Sequence, residues 1–279
     1  MRLISTEIIC AEVRDLFLMT AFILPEKIRR RLASAAMTET TEPGQMILER
    51  LLENCELATS NFTPLCQDTG LAQVVLEIGQ QVFFEGPPLI QAIETGVRQA
   101  YQVGFLRKST CHPLTRQNLG DNCPPIIETI ITSGDKVLIK TMAKGGGCDN
   151  KSRQIILKPT ATMAEVRQSV VDLVIQAGSD ACPPICLGLC LGGNFDSGPR
   201  LAKRALMDLF EDPPMTDEES DIAEALFEDI NATGLGPMGL GGLNTVLGVR
   251  VKIAPCHIAS LPVTLNINCH SLRTGQVLL

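Results

Sequence analysis

Five consecutive residues, Cys66-Gln67-Asp68-Thr69-Gly70, set a soft metal ligand, an amide, a carboxylate and a hydroxyl side by side, closed by a glycine. Pro64 before them and Gly70 behind them mark a turn, so the group is expected on a loop at the mouth of a strand. A thiol beside a carboxylate suits metal binding or proton transfer; it also fits a surface turn with a half-buried packing cysteine. Two further cysteines have comparable settings. Cys182 follows a helix that should end near Gly178 and precedes Pro183-Pro184, which remove backbone donors and stiffen the loop, as suits a fixed ligand. Cys269 stands in Asn268-Cys269-His270-Ser271, beyond a strand. The run Cys182, Cys186, Cys190 does not read as a three-thiolate site. Ile185 to Leu191 has the pattern of a buried strand, and at about 3.3 Å per residue Cys182 and Cys190 lie about 25 Å apart. Cys186 and Cys190 are therefore read as small core residues, as are Cys10 and Cys55 on helices.

Other residue types add possible chemistry. Lys144-Gly145-Gly146-Gly147 follows a strand and offers consecutive backbone N–H groups without side-chain obstruction, which is either an anion nest or a plain loop. It lacks the Walker A spacing and the dinucleotide fingerprint. Leu191-Gly192-Gly193-Asn194 reads as a tight turn feeding a helix or as an ordinary loop. Arg107 and Lys108, at a helix end, suit either a carboxylate clamp or simple solvation. His257 is one of three histidines; between apolar segments it suits acid/base work or a satisfied place in the core.

These groups need elements to hold them. The 279 residues can bury a substantial core, and 45% hydrophobic with 20% charged residues is a globular composition. A net charge of −7 argues against nucleic acid or an anionic membrane as partner. No apolar run approaches the roughly 20 residues that span a bilayer, and the start, with Glu7, Glu12, Arg14 and Asp15, is helix-like and unlike a signal peptide. Eleven cysteines without such a signal point to a reducing cytoplasm and thiol chemistry, not a disulfide framework. The periodicity predicts helices after Pro25 (Ile28, Leu32, Ala35), over Ile47 to Ala58, after Pro87-Pro88 (Ile90, Ile93, Val97, Tyr101), after a Thr162–Glu165 capping box (Val166, Val170, Leu173, Ala177) and over Arg200 to Phe210. Ala72 to Ile78 alternates as a half-buried strand, with Gln73 and Glu77 outward. Ile126–Thr132 and Val137–Met142, joined by Ser133-Gly134-Asp135, read as a hairpin. Glu211 to Asp221 reads as a solvated acidic connector followed by a short helix ending near Thr233-Gly234. Thr245–Ile253 and Pro262–Ile267 read as strands. The expected class is mixed α/β (α+β): a helical N-terminal part over about 1–62, then mixed sheets flanked by helices over about 63–279.

The whole chain resembles the α subunit of the iron–sulfur (class I) fumarate hydratase and tartrate dehydratase family. The resemblance is carried, in family order, by Cys66-Gln67-Asp68-Thr69-Gly70, by His112-Pro113-Leu114-Thr115-Arg116 with Asp121-Asn122, and by Lys144 to Gly147. It continues in Ala181-Cys182-Pro183-Pro184, Leu191-Gly192-Gly193, and His257-Ile258-Ala259-Ser260-Leu261-Pro262 running into Cys269. It implies one cluster-binding α-subunit domain over 1–279, with the cluster site between lobes. The implied [4Fe-4S] ligands are Cys66, Cys182 and Cys269, leaving one iron open to act as a Lewis acid. Gln67, Arg107, Gly146 and Gly147 are the implied substrate contacts, with Arg107 the carboxylate clamp. Asp68 and His257 share the implied proton transfer.

The activity implied is cytoplasmic, reversible hydration of fumarate to L-malate, with L-tartrate dehydration the alternative; a non-catalytic cluster or zinc scaffold is the reading from a different class. Fumarases of the family usually carry Ser-Glu-Asn where this chain has Cys148-Asp149-Asn150, and a cysteine there also occurs in the tartrate dehydratase branch. The sequence around Asp121-Asn122 and His257 favours fumarase. The family's second domain, with more basic substrate-binding residues, is absent from these residues. A separate β subunit is therefore the expected partner, in an α2β2 heterotetramer.

Overall fold

The computed structural model describes residues 1–211 and 214–279. Helical periodicity and strand alternation generate, in chain order, β1 (Arg2–Ser5), α1 (Thr6–Phe22), α2 (Glu26–Thr38), α3 (Glu42–Asn61), β2 (Leu71–Gly79) and β3 (Val82–Glu85). Next come α4 (Leu89–Val103), β4 (Ile126–Thr132), β5 (Val137–Lys144), α5 (Gly146–Asp149), β6 (Arg153–Leu157) and α6 (Met163–Ala177). The chain closes with β7 (Ile185–Gly193), α7 (Ser197–Met207), α8 (Asp217–Ala232), β8 (Val246–Cys256), β9 (Leu261–Asn268) and β10 (Arg273–Leu278). The architecture is mixed α/β, as expected. It divides into two compact units, the first made of 1–25, 54–146 and 271–279, the second of 26–53 and 147–270. Among the described residues no helix is long and apolar enough to cross a membrane.

In the first unit the strand order is β10-β5-β2-β4, and β1 pairs separately with β3. Ala72, Val74, Leu76 and Ile78 of β2 face Ile9, Val13 and Phe17 of α1 and Ile93, Val97 and Tyr101 of α4 in one apolar cluster. Each fully buried Val, Leu, Ile or Phe among them contributes about 1.5–3 kcal/mol. Two expectations change here. Gln73 is buried, not outward, because β2 is a central strand and Gln73 sits between Met142 of β5 and Ile126 of β4. Nor do β4 and β5 form a hairpin: β2 lies between them, parallel to β4 and antiparallel to β5. The link passes round the end of β2, where Gly79, Gln80 and Gln81 donate to the carbonyls of Lys136, Thr132 and Gly134. Four residues suffice to step across two strand spacings of about 4.8 Å.

In the second unit the order is β6-β9-β7-β8, with β7 parallel to β8 and antiparallel to β9. Ile185, Leu187, Leu189 and Leu191 pack with Val166, Val170 and Val174 of α6 and with Ile222, Leu226 and Ile230 of α8. Cys186, Gly188 and Cys190 alternate onto the opposite face, where α7 lies so close that a Cβ on Gly188 would stand 2.2 Å from the Ala202 carbonyl oxygen. Small residues are required there, which is why these two buried cysteines are core residues. Both α6 and α8 begin with full capping boxes, Thr162/Glu165 and Thr216/Glu219. The second corrects the acidic connector. Asp217 to Asp221 is helical, since Asp217, Glu218 and Glu219 in a first turn complement the helix dipole. Asp212 and Pro213 of that expected connector lie outside the described residues. Cys10 also departs from expectation, being only half-buried, with its thiol 3.8 Å from Gln99 Oε1.

Glu39 ties α2 to the loop before β8. Its carboxylate, 3% exposed, accepts from the backbone N–H of Thr40, Thr41, Leu243 and Asn244 and from Asn244 Nδ2. Burial alone would raise its pKa; the hydrogen bonds from Asn244, Thr41, Leu243 and Thr40 outweigh it and hold the group down at about 2. A depressed carboxylate stabilises the fold fully above its ordinary value of 4.5 and loses that contribution as pH falls from there toward about 2. The drop corresponds to about 3 kcal/mol. Glu39→Gln should lose a comparable amount at pH 7, and denaturant melts should show the variant's deficit shrinking as pH falls below 4.5; a constant deficit would contradict this origin.

Candidate active site

The Cys66–Gly70 loop joins α3 to β2 at the sheet end where β2 begins and β5 closes, Leu71 pairing with Lys144. Leu65 anchors it, donating to Ala21 O at 2.9 Å and accepting from Asn54 Nδ2 at 2.9 Å. Asp68 is held at both oxygens: Oδ1 accepts from Gly70 N at 3.1 Å and Oδ2 from Gly146 N at 2.7 Å. The Tyr101 hydroxyl lies 3.1 Å from Thr69 O and 2.8 Å from Gly70 O, and Asn122 Nδ2 donates to Gly70 O at 3.2 Å. Burial pushes the Tyr101 pKa well up, so the phenol stays a neutral donor. Thr69 Oγ1 donates to the Arg107 carbonyl at 2.9 Å, and Asn122 Oδ1 accepts from Ser109 N at 2.7 Å, so the Arg107 segment is tied to the same loop. Arg107 and Gln67 are exposed, and Cys66 and Asp68 are half-buried.

The Asp121-Asn122 pair is engaged by groups of the chain itself. Asn122 clamps the Asp68 loop, while Asp121 accepts from Arg98 Nε of α4 at 2.9 Å; that bond holds its carboxyl below the usual range. The glycine run is likewise partly occupied. The Gly146 N–H, expected to face an anion, is engaged by Asp68, and Gly147 is exposed in the single turn of α5.

In the second unit Cys182 and Cys269 come to the same end of the sheet. Cys186 of β7 pairs with Asn268 of β9, so the residues before β7 and after β9 emerge together. His270 Nδ1 lies 3.3 Å from the Cys182 carbonyl oxygen. Cys182 adopts φ 52°, ψ 63°, a left-handed conformation that costs a residue with a Cβ about 1–2 kcal/mol. Such a conformation persists only where the surroundings impose it. His257 is elsewhere. It is exposed in the turn from β8 to β9, and β9 places it about 26 Å of strand from Cys269. It is therefore not a core histidine, and its Nδ1 accepts from Ala259 N at 3.1 Å.

No disulfide joins the eleven cysteines. Burial pushes the Cys123 and Cys190 thiols up to about 11, so both stay protonated at neutral pH and are poor thiolate donors. Cys148 is buried with its sulfur 3.6 Å from Asn268 Oδ1. Cys66, Cys182 and Cys269 combine loop position with partial or full exposure, the donor chemistry that a thiolate-held cluster takes. Among the described residues no group of three or more His, Cys, Asp or Glu is arranged to hold a metal ion.

A family model described as fumarate hydratase (Fumerase) matches residues 10–277. The chain belongs to this fumarate hydratase family. Members of the family are hydro-lyases, so the chain is read as an enzyme of that class. It is 37% identical over 267 residues to a putative L(+)-tartrate dehydratase subunit alpha of Methanocaldococcus jannaschii, covering 94% of each chain. It is 24% identical over 263 residues to the L(+)-tartrate dehydratase subunit alpha of Escherichia coli O157:H7, covering 91% of this chain and 85% of that one. A putative fumarate hydratase class I of Geobacillus stearothermophilus is 29% identical over 271 residues. There the match takes in 93% of this chain but 52% of the relative, about half its length. Sequence reasoning counted Tyr101 only as part of a helical stripe and passed over Arg273. Both belong to the surroundings of Asp68 in this family member. The available signals were that Tyr101 is the single tyrosine and that Arg273 stands four residues beyond Cys269.

Proposed function

We propose that this chain is the cluster-carrying α subunit of a cytoplasmic hydro-lyase that reversibly hydrates fumarate to L-malate. One observation carries the reading: the Asp68 carboxylate, two residues from Cys66, is fixed at both oxygens by the N–H groups of Gly70 and Gly146. Cys66, Cys182 and Cys269 would hold a [4Fe-4S] cluster, which when bound would supply a Lewis acid for C–O cleavage. Asp68 takes the proton from the carbon next to the departing hydroxyl and returns it in the hydration direction. Gly146 serves by holding Asp68. Gln67, Arg107 and the Gly147 backbone contact the substrate, with Arg107 on a carboxylate. His257, at the far end of its own sheet, is left without a step in this reading.

L-Tartrate dehydration is the second reading. The similarity to the M. jannaschii protein over nearly the full length of both chains favours it, as does Cys148 where fumarases usually have serine. Two relatives are named alpha subunits, and the charge balance supports a separate β subunit; a symmetric pair of such heterodimers makes an α2β2 assembly. A chain of net charge −7 has no broad basic field to draw in a dicarboxylate, and a buried carboxylate lacking its charge partner costs several kcal/mol. Anaerobically reconstituted chain, assayed with and without the second polypeptide, should gain about 100-fold or more in kcat/KM when paired, a loss of about 3 kcal/mol restored. Equal values would remove the two-subunit reading. The faster of fumarate and L-tartrate decides the substrate, and turnover of neither would refute the enzyme.

A further inference from the structure

We propose that Arg273 is a carboxylate-binding residue that receives one end of the dicarboxylate beside Asp68 and Gly145. This rests on the hydro-lyase reading and deepens it. Arg273 opens β10 and pairs with Ala143 of β5, which in turn pairs with Ala72 of β2. Its side chain is thereby directed to the sheet end that carries the Asp68 loop. It is 2% exposed, yet its Nε and Nη1 atoms, both buried, have no hydrogen-bond partner among the described residues. Buried guanidinium groups without an anion are strongly disfavoured, and arginine's fixed fork of donors matches a carboxylate in two parallel bonds.

A glycine keeps side-chain atoms away from both Asp68 and Arg273. A Cβ built on Gly145 would stand 3.3 Å from Asp68 Oδ2 and 3.7 Å from Arg273 Nη2, so the two side chains border one cradle that any larger residue would enter. Asp68 itself leaves Arg273 unsatisfied. Both its oxygens are engaged by backbone N–H groups, and no ion pair links the two side chains among the described residues. Arg273 also faces Tyr101, whose hydroxyl is committed to the Thr69 and Gly70 carbonyls and offers no negative charge. The anion that completes this cradle therefore comes from outside the chain. A substrate carboxylate placed there sits next to Asp68, which sets the adjacent carbon within reach of the group that handles its proton.

The test uses the full chain with the subunit it carries. Binding of succinate, a non-reacting dicarboxylate, and of its half-amide succinamate is measured by calorimetry, alongside KM and kcat for the substrate it turns over. Arg273→Gln should weaken succinate binding and raise KM by about 30-fold or more, the scale of a lost charge-assisted carboxylate pair. It should also flatten the preference for succinate over succinamate, with a smaller change in kcat. Arg273→Lys should recover part of the affinity. Gly145→Ala, which leaves Arg273 in place and fills the cradle, should reproduce the loss with the melting temperature little changed, and it keeps the test open if Arg273→Gln does not fold. Retained succinate affinity in folded Arg273→Gln or Gly145→Ala, beside a wild type that binds and turns over normally, would overturn this inference alone. A wild type with neither succinate affinity nor turnover would overturn the hydro-lyase reading with it.

Discussion

Serine in place of Cys66, Cys182 or Cys269 is expected to remove bound iron from the reconstituted protein, whereas serine in place of Cys186 or Cys190 is expected to leave it. Each of the first three sits on a loop and is partly or fully exposed. Losing one would leave two protein bonds to the cluster, and a serine hydroxyl at neutral pH is a far weaker ligand for iron than a thiolate. Cys186 and Cys190 are buried under α7, on the β7 face that Gly188 keeps clear. A hydroxyl costs more to bury there than a thiol, so those variants should lose about 1–3 kcal/mol of stability and keep their iron. Iron per chain, visible absorbance and thermal melts read this directly. Full iron in Cys182→Ser would exclude the proposed ligand set, and iron loss in Cys190→Ser would extend it into the core.

Asp68→Asn is expected to lower kcat by about 10²–10⁴-fold, the range of a positioned acid/base group. An asparagine offers one acceptor oxygen where two N–H groups, of Gly70 and Gly146, now donate. One donor would be left without its acceptor, costing about 1–3 kcal/mol of local stability as well. The two effects separate experimentally. Gly146 would lose its N–H only to proline, which also fixes the backbone. Asn122→Ala, by contrast, removes the clamp on Gly70 without touching the carboxylate, and it should soften the loop while retaining more activity than Asp68→Asn. The comparison reads kcat, KM and iron content in the same preparations. A variant with asparagine at 68, fully loaded with iron and as fast as wild type, would take proton transfer away from this residue.

How far the chain could be read without coordinates differs from element to element. The helices at Glu26, Leu89 and Met163 and the strands β2, β7, β8 and β9 were legible because periodicity and capping are local properties of the chain. The core role of Cys186 and Cys190 was legible for the same reason, from strand rise alone. The strands β1, β3, β6 and β10 left no comparable signal, being four to six residues long with mixed burial. Strand order was beyond local reasoning. Nothing in Ser133-Gly134-Asp135 says that β2 will pass between β4 and β5, since the same turn also closes a hairpin.

The site divides along the same line. Cys66, Asp68, Cys182 and Cys269 stood out by residue type and loop setting. Only the tertiary structure decided that antiparallel pairing of β7 and β9 brings Cys182 and Cys269 to one sheet end and sends His257 to the other. Only it showed that Gly146 spends its N–H on Asp68, and that Arg273 arrives beside that carboxylate from residues some two hundred positions away in sequence, through its pairing with β5. Residue type is chemistry a sequence states outright. Which groups meet depends on strand register, and register is fixed by the burial of whole faces, which no short stretch of the chain contains.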